Sequence, residues 1–299
     1  MRDVLIYMYG GLGNQCFVYA MGRSLADKTK ARYNFDIGFF PDDFLYKLRY
    51  DLSAFNIRID GSRELPLRIL RKLDRRLSRV ASRMPVLRSH YCYESQPPRY
   101  QPVPTEWSGR LILNGYWQSE KYFEDIKPQL AQDLTLKDVT PFARDSIADL
   151  IQSSCNSVFL HIRSYKEVIG KQDGSLSLPV SYFQNALMQM KDLLKSFNLF
   201  VFSDDVQWTK SRLHVPADIQ VRYIEPSGKG PKFDTLRDFY LMRLCKHGVI
   251  ANSSFSWWAG WLGEQDWLAK GEKPIRMRAN RTEFNNDYWP DRWQVIPIE

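Results

Sequence analysis

The amino-acid sequence predicts an α/β fold of two domains built from strand–turn–helix units. The chain has 299 residues, which exceeds the usual size of a single hydrophobic core and favours two domains. In the second half, short apolar strands alternate with helical patterns, as in a doubly wound parallel sheet. Near the N-terminus, an apolar strand at residues 4–8 passes through a glycine turn into a helical pattern, which is the same type of unit.

The periodicity of the second half assigns its elements. Apolar runs predict strands at residues 158–162, 199–202, 220–224 and 249–251, and helical spacing predicts helices at residues 180–196 and 234–246. Residues 123–150 also have a helical pattern, which Pro128 and Pro141 interrupt. We therefore expect a parallel sheet whose ligand site lies beyond the carboxyl ends of its strands.

Composition excludes several classes of protein. Hydrophobic residues make up 44% of the chain, which is ordinary for a folded globular protein and argues against disorder. The first residues lead into a short strand rather than an apolar signal segment, so we expect a cytoplasmic location. The four cysteines are too widely spaced for a zinc cluster or a disulfide framework and are expected to be reduced: Cys16, Cys92, Cys155 and Cys245.

The net charge of +8 is concentrated in residues 63–88. In this segment Leu70, Leu73 and Leu77 belong to an apolar stripe at helical spacing, which predicts a basic amphipathic helix. Such a helix can lie on the anionic inner face of a membrane, or it can pack its stripe on the body of the protein. Few aromatic residues interleave with the basic ones, so the segment does not indicate nucleic-acid binding.

The turn at residues 10–15 reads Gly-Gly-Leu-Gly-Asn-Gln and resembles part of a dinucleotide-binding fingerprint. Cys16 occupies the third glycine position, which argues against a dinucleotide-dependent oxidoreductase. The glycines Gly11 and Gly13 leave two alternatives: either a ligand approaches the backbone closely, or the turn needs a positive φ.

Polar residues follow four strands of the second half. They are His161 and Arg163, then Asp204 and Asp205, then Glu225, then Asn252, Ser253 and Ser254. Arg163 suits a diphosphate, because a guanidinium can make bidentate bonds to it. The helix that follows Asn252 can bind a phosphate at its amino terminus, or it is an ordinary capped core helix. Asp204 can accept hydrogen bonds from a guanine or a ribose, although adjacent Asp residues also form turns.

A polar turn with two aromatic residues follows the strand at residues 111–113. Tyr116 and Trp117 can stack on a sugar face while Gln118 binds its hydroxyls. The alternative is that both rings pack in the core.

Five blocks, at residues 10–15, 115–120, 161–163, 202–205 and 250–258, together resemble the bacterial α-1,2-fucosyltransferases of glycosyltransferase family 11. The resemblance spans residues 4–262 in the correct order. It implies a GT-B-type fold, in which two Rossmann-like domains face each other across a cleft. Residues 1–150 would form the acceptor-side domain, with the basic helix near 63–88, and residues 151–299 the nucleotide-sugar-binding domain.

The resemblance further implies the reaction: L-fucose moves with inversion from GDP-L-fucose to the 2-hydroxyl of a galactoside, without a metal or another cofactor. The acceptor would be an oligosaccharide or an O-antigen-like surface glycan of lipopolysaccharide biosynthesis. Arg163 would contact the diphosphate and Asp204 the guanine. The remaining donor-binding residues would be Asn252, Ser253, Ser254, Phe255 and Ser256 on one side and Gly11, Gly13 and Asn14 on the other; the acceptor would contact Tyr116, Trp117 and Gln118.

One block departs from the family pattern. The family continues His-x-Arg-Arg-Gly-Asp-Tyr, whereas this chain has Ser164, Tyr165, Lys166 and Glu167 after Arg163. Glu167 is a candidate general base, alongside Arg163 and His161 as catalytic candidates, and the alternative for Glu167 is a solvated loop carboxylate. The departure keeps two other hypotheses open: a different nucleotide-sugar donor, or a non-catalytic protein that binds a sugar nucleotide or a glycan.

Overall fold

The computed structural model describes residues 2–40, 48–59, 61–63, 90–95, 98–164, 178–280 and 287–298. Residues 64–88 of the predicted basic helix lie outside this part of the chain, and so does Glu167. The chain divides into two compact units. The first consists of Met1–Leu136 and Glu283–Pro290, and the second of Lys137–Thr282 and Asp291–Glu299.

The first unit contains a five-stranded parallel sheet with the order β3-β2-β1-β5-β4. Its strands are β1 Asp3–Tyr7, β2 Arg32–Asp36, β3 Gly61–Arg63, β4 Tyr91–Tyr93 and β5 Arg110–Asn114, and its described α-helices are α1 Leu12–Thr29 and α2 Lys127–Asp133. Helix α1 connects β1 to β2. Gly22 lets it approach the sheet closely, because a Cβ there would lie 2.1 Å from Ile6 Cδ1.

The second unit contains a six-stranded parallel sheet with the order β11-β10-β9-β6-β7-β8. Its strands are β6 Ser157–Ile162, β7 Asn198–Ser203, β8 Gln220–Tyr223, β9 His247–Val249, β10 Arg276–Ala279 and β11 Gln294–Ile296. Its described helices are α3 Thr140–Ala143, α4 Ser146–Ser153, α5 Val180–Leu194, α6 Val206–Arg212, α7 Pro231–Leu244 and α8 Ser254–Leu268. This is the strand order of the Rossmann fold, with the direction of winding reversing between β6 and β9.

The predicted strands and helices of the second half agree with the structure to within a few residues. The apolar pattern does not predict β10 and β11, because Arg276, Arg278 and Gln294 interrupt it in these two strands. The helical pattern at residues 123–150 forms several short helices instead of one. Pro128 and Pro141 lie in the first turns of α2 and α3, where a proline is tolerated.

The boundary between the units lies after residue 136, not at residue 150 as the sequence analysis proposed. Helices α3 and α4 belong to the second unit because they pack on α7. Phe142 packs on Phe233 with ring centroids 5.0 Å apart, and Arg237 Nε lies 2.5 Å from Asp145 Oδ2. None of the helices in the described ranges is long and apolar enough to cross a membrane.

The glycine turn after β1 is held by the buried side chain of Gln15. Its Nε2 donates to the carbonyl oxygens of Gly10, at 2.9 Å, and Arg49, at 2.7 Å. Its Oε1 accepts from the backbone N–H groups of Asp51, at 2.9 Å, and Leu52, at 3.2 Å. Gly10 has φ +84, a conformation that favours glycine. The turn therefore requires Gly10 for its backbone conformation and Gln15 for its hydrogen bonds. One side chain thus joins the turn to the segment at residues 49–52.

We predict that Gln15→Ala lowers the free energy of unfolding by about 2–3 kcal/mol, because four buried backbone groups lose their partner. Urea unfolding followed by tryptophan fluorescence measures the change. Gln152→Ala, on the exposed face of α4, is the matched control and should change stability by less than ~0.5 kcal/mol. Equal effects of the two substitutions would contradict the anchoring role of Gln15.

Candidate functional site

The candidate site of the second unit lies where the winding of its sheet reverses. Strand β6 ends at Ile162 and is followed by Arg163, while β9 ends at Val249 and leads through Asn252 into α8. Strands β6 and β9 are hydrogen-bonded neighbours, so their carboxyl ends lie side by side. Doubly wound sheets bind ligands at this position. The structure therefore brings Arg163 and the start of α8 to one edge, as the sequence predicted.

Asp204 contacts the two residues that follow β6, namely the side chain of Arg163 and the backbone of Ser164. Its Oδ2 lies 3.3 Å from Arg163 Nη1, and its Oδ1 accepts from the Ser164 N–H at 2.8 Å. The Arg163 side chain is 32% exposed, so the guanidinium keeps access to a ligand while its carboxylate partner restricts its orientation. Both oxygens of Asp204 thus face protein groups, and its predicted contact with guanine stays a prediction.

Asp205, next to Asp204, has a structural role. It is the N-cap of α6, and its Oδ1 accepts from the Trp208 N–H at 2.9 Å. The turn-forming alternative therefore holds for Asp205.

The amino terminus of α8 has no side-chain cap. Its N-cap Ser253 is extended, with φ −132 and ψ 125, and makes no capping hydrogen bond. The hydroxyl of the buried Ser256 donates to the Ser253 carbonyl oxygen at 3.3 Å, so this hydroxyl has a local partner. Asn252, Ser253, Ser254 and Phe255 are half-buried at the start of the helix. Because the first-turn N–H groups and the helix dipole favour negative charge, this terminus can bind a phosphate.

His161 lies in an aromatic cluster beneath this edge. Its ring centroid is 5.9 Å from that of Phe255, which is 5.5 Å from that of Phe239. Burial, together with the neighbouring Arg163, lowers the pKa of His161 to about 4, although Asp204 opposes the shift. The imidazole is therefore neutral near pH 7 and packs against rings, which makes it a poor general acid.

Asp238 on α7 was missed by the sequence analysis. Burial, together with the nearby Asp234 and Asp145, raises its pKa to about 7, although Arg237 opposes the shift. A carboxyl group that titrates near neutral pH is a candidate functional group. Its sequence signal was weak, since an Asp within a helical pattern usually faces solvent.

The first unit has a corresponding edge between β1 and β5. Asn14 Oδ1 accepts from Gln118 Nε2 at 2.8 Å, and the rings of Tyr9 and Tyr116 have centroids 4.7 Å apart. The residues predicted to bind the acceptor, Tyr116 and Gln118, thus lie beside the glycine turn. Next to them, a shallow hollow with about 150 Å³ of empty space is lined by Tyr7, Met8, Tyr9, Asp36 and Phe39.

The two glycines of this edge differ. Gly11 is the N-cap of α1, and a Cβ added to it would meet nothing within 4 Å, so the backbone is open to a ligand there. Gly13 is buried inside the first turn of α1.

Trp117 is an exception among the predicted acceptor residues. Its side chain is fully buried and packs edge-on against Tyr122, with ring centroids 5.5 Å apart. The core-packing alternative therefore holds for Trp117, because its ring offers no exposed face to a sugar. In the ranges that the structure describes, no group of three His, Cys, Asp or Glu side chains is arranged to hold a metal ion.

We predict that the depressed pKa of His161 makes the protein less stable in acid. Between pH 6.5 and about 4, the unfolded chain protonates this histidine while the folded chain does not, so the unfolded state is favoured as pH falls. Wild type should lose unfolding free energy between pH 7 and pH 4, and in His161→Asn this loss should be smaller by roughly 2–3 kcal/mol. Urea unfolding at several pH values checks this, with the exposed His214→Asn as control. Parallel pH curves for wild type and His161→Asn would disprove it.

The chain is similar to known glycosyltransferases. The family described as glycosyl transferase family 11 matches residues 94–283. An Escherichia coli alpha-1,2-colitosyltransferase is 26% identical over 303 residues, covering 99% of both chains. The Mus musculus galactoside alpha-(1,2)-fucosyltransferase 2 is 22% identical over 300 residues, covering 97% of this chain and 77% of its own length.

Among solved structures, the Arabidopsis thaliana protein FUT1 in complex with GDP is similar in fold. It aligns with a TM-score of 0.53 at 15% sequence identity, covering 95% of this chain and 72% of that protein. The predicted fold class, GT-B with two Rossmann-like parallel sheets, is confirmed. Since the family match extends over more than half of the sequence, the chain belongs to glycosyl transferase family 11 and is a glycosyltransferase.

Proposed function

We propose that the protein transfers L-fucose from GDP-L-fucose to the 2-hydroxyl of a galactoside, with inversion at the anomeric carbon. The proposal depends on one observation: Arg163 and the amino terminus of α8, which has no side-chain cap, lie at the same edge of the sheet. The relatives support it, because one is named an alpha-1,2-colitosyltransferase and another a galactoside alpha-(1,2)-fucosyltransferase.

In this reaction the bond between the anomeric carbon and the phosphate oxygen breaks, and negative charge develops on the GDP leaving group. Arg163 and the first-turn N–H groups of α8 supply positive charge that would stabilise this group as it leaves. We propose that this charge replaces a metal ion and that no other cofactor is needed. The Arg163–Asp204 pair would favour a single orientation of the guanidinium, so that little reorganisation is needed during the reaction.

On the acceptor side, we propose that the sugar binds the carboxyl edge of the first unit. Tyr9, Tyr116 and Phe39 offer aromatic surface for the C–H face of a galactoside. Asp36 and Gln118 offer hydrogen-bonding groups for its hydroxyls. The acceptor glycan is proposed to be an oligosaccharide or an O-antigen-like surface glycan. Glu167 stays a candidate for the base that accepts the proton of the attacking hydroxyl.

A second candidate is the transfer of colitose, which is fucose without its 3-hydroxyl. The observation that favours it is the similarity to a colitosyltransferase along 99% of both chains. The departure at residues 164–167 from the family pattern is consistent with a changed donor.

The test incubates the purified protein with GDP-fucose, GDP-colitose, GDP-mannose or a UDP-sugar, a panel of β-galactosides, and EDTA. Mass spectrometry detects the product, and NMR assigns its linkage. An α-1,2-fucosyl product formed in EDTA supports the proposal, and preferred use of GDP-colitose supports the second candidate. Tight donor binding without transfer or hydrolysis would instead indicate a non-catalytic binding protein.

We predict that Arg163→Ala lowers kcat roughly 100-fold or more, because the leaving group loses its main counter-charge. Arg163→Lys should recover part of this loss, since an ammonium keeps the charge but not the bidentate geometry. The exposed Arg222→Ala on β8 is the matched control and should retain wild-type kcat. Wild-type turnover by Arg163→Ala would place the diphosphate site elsewhere.

We also propose that the protein works at the cytoplasmic face of the membrane, with residues 63–88 contacting anionic lipids. Replacing Arg71, Arg75, Arg76 and Arg79 by Glu should abolish sedimentation with phosphatidylglycerol vesicles, because each basic residue near such a surface contributes about 1 kcal/mol. Activity on a soluble acceptor should remain. Phosphatidylcholine vesicles are the control, and unchanged sedimentation of the variant would show that this segment does not bind the membrane.

A further inference from the structure

Glu94 is a buried carboxylate at the carboxyl end of β4. Its Oε2 accepts from the backbone N–H of Tyr116 at 2.6 Å and from that of Trp117 at 3.0 Å. The nearby Gln118 N–H also favours the charged form of this carboxylate and so acts to lower its pKa. Gly115 makes the close approach possible, because a Cβ there would lie 2.4 Å from Glu94 Cβ. A single carboxylate oxygen thus accepts from two consecutive peptide groups.

Successive N–H groups that converge on one anion form an anion-binding nest, and the N–H groups of Tyr116 and Trp117 do so here. The nest depends on the conformation of Trp117, which has φ +57, in the left-handed region that residues other than glycine rarely adopt. Burial raises the pKa of Glu94, and the backbone N–H groups of Trp117, Tyr116 and Gln118 oppose that shift. The bonds thus offset part of the cost of burying the carboxylate, and the carboxylate offsets the strain at Trp117.

As a result, the side chains of residues 116–118 point in alternating directions. Trp117 points into the core, while Tyr116 packs on Tyr9 and Gln118 donates to Asn14. Tyr116 and Gln118 are both half-buried, so part of each side chain remains accessible at the sheet edge. If the nest lost its anion, Trp117 could relax from positive φ, and both neighbours would change direction.

We propose that Glu94 is a positioning residue, which holds the loop at residues 116–118 in the one conformation that presents Tyr116 and Gln118 to the acceptor sugar. This inference rests on the proposed function for its reference to an acceptor. In this proposal Glu94 does not touch the sugar and acts through the peptide N–H groups of Tyr116 and Trp117. We therefore expect it to affect acceptor binding, whereas the proposed diphosphate contacts at Arg163 and the start of α8 belong to the second unit.

The experiment compares wild type, Glu94→Ala, Glu94→Gln and the exposed control Glu106→Ala. Glu94→Ala should raise the KM for the acceptor at least about tenfold, since charge-assisted hydrogen bonds are lost, while the Kd for GDP stays unchanged. Sodium formate, which fits the vacated nest as an anion, should restore the KM, and formamide, which is neutral and of similar shape, should not. Glu94→Gln keeps one acceptor oxygen, so its KM should rise less and should not respond to formate.

Hydrogen exchange provides a second readout that does not depend on turnover. The amides of residues 116–118 should exchange faster in Glu94→Ala and recover their protection in formate. The inference is overturned if this exchange is unchanged, or if it accelerates while the acceptor KM stays at the wild-type value. A KM increase that formate does not reverse would also overturn it, since that indicates general damage to the fold.

If the proposed function itself is wrong, the experiment gives a different result. The wild-type chain would then transfer no sugar, whereas the exchange rates in the presence and absence of formate would still decide whether Glu94 holds the loop. If Glu94→Ala does not fold, the same measurements on Glu94→Gln decide the question, with faster exchange expected and wild-type exchange contradicting the inference.

Discussion

The candidate donor site depends on how α8 is fixed, because the position of its amino terminus decides where a phosphate can bind. Two buried charged groups fix the helix from its far side. Arg276 Nε of β10 donates to the Gly260 carbonyl oxygen at 2.8 Å, and Glu264 Oε2 accepts from Arg292 Nη2 at 2.7 Å. Burial lowers the pKa of Arg276 to about 10, with Glu264 opposing the shift, so the guanidinium is still charged near pH 7. These contacts hold α8 within the second unit while its first turn stays at the strand edge.

The two units use backbone N–H groups in opposite ways. In the first unit, the amides that follow β5 converge on the carboxylate of Glu94 and are satisfied within the protein. In the second unit, the first turn of α8 has no side-chain cap. Backbone amides that donate to a carboxylate of the protein hold their loop in one conformation. Backbone amides that lack a capping side chain can instead bind an external anion. The same chemistry thus positions side chains in one unit and offers a binding site in the other.

Local patterns identified much of this arrangement. The strand ends, the helix that starts near Ser254, and the polar edge around Arg163 all follow from periodicity and from the rule that parallel strands present their carboxyl ends together. The five motif blocks then predicted the family, which the comparison confirmed. By contrast, residues 64–88 and Glu167 lie outside the described structure, so the basic helix and the catalytic base stay predictions.

The sequence by itself determined the elements of both sheets that have a regular apolar pattern, together with the residue types at their ends. Only the tertiary structure decided which of those residues are buried and which partners they have. It buried Trp117, turned both oxygens of Asp204 toward protein groups, made His161 neutral, and revealed Glu94 and Asp238. The physical reason is that burial and hydrogen-bond partners come from segments distant in sequence, which periodicity does not report. Glu94 and the loop it holds are more than 20 residues apart, and they meet only because β4 and β5 pair in the sheet.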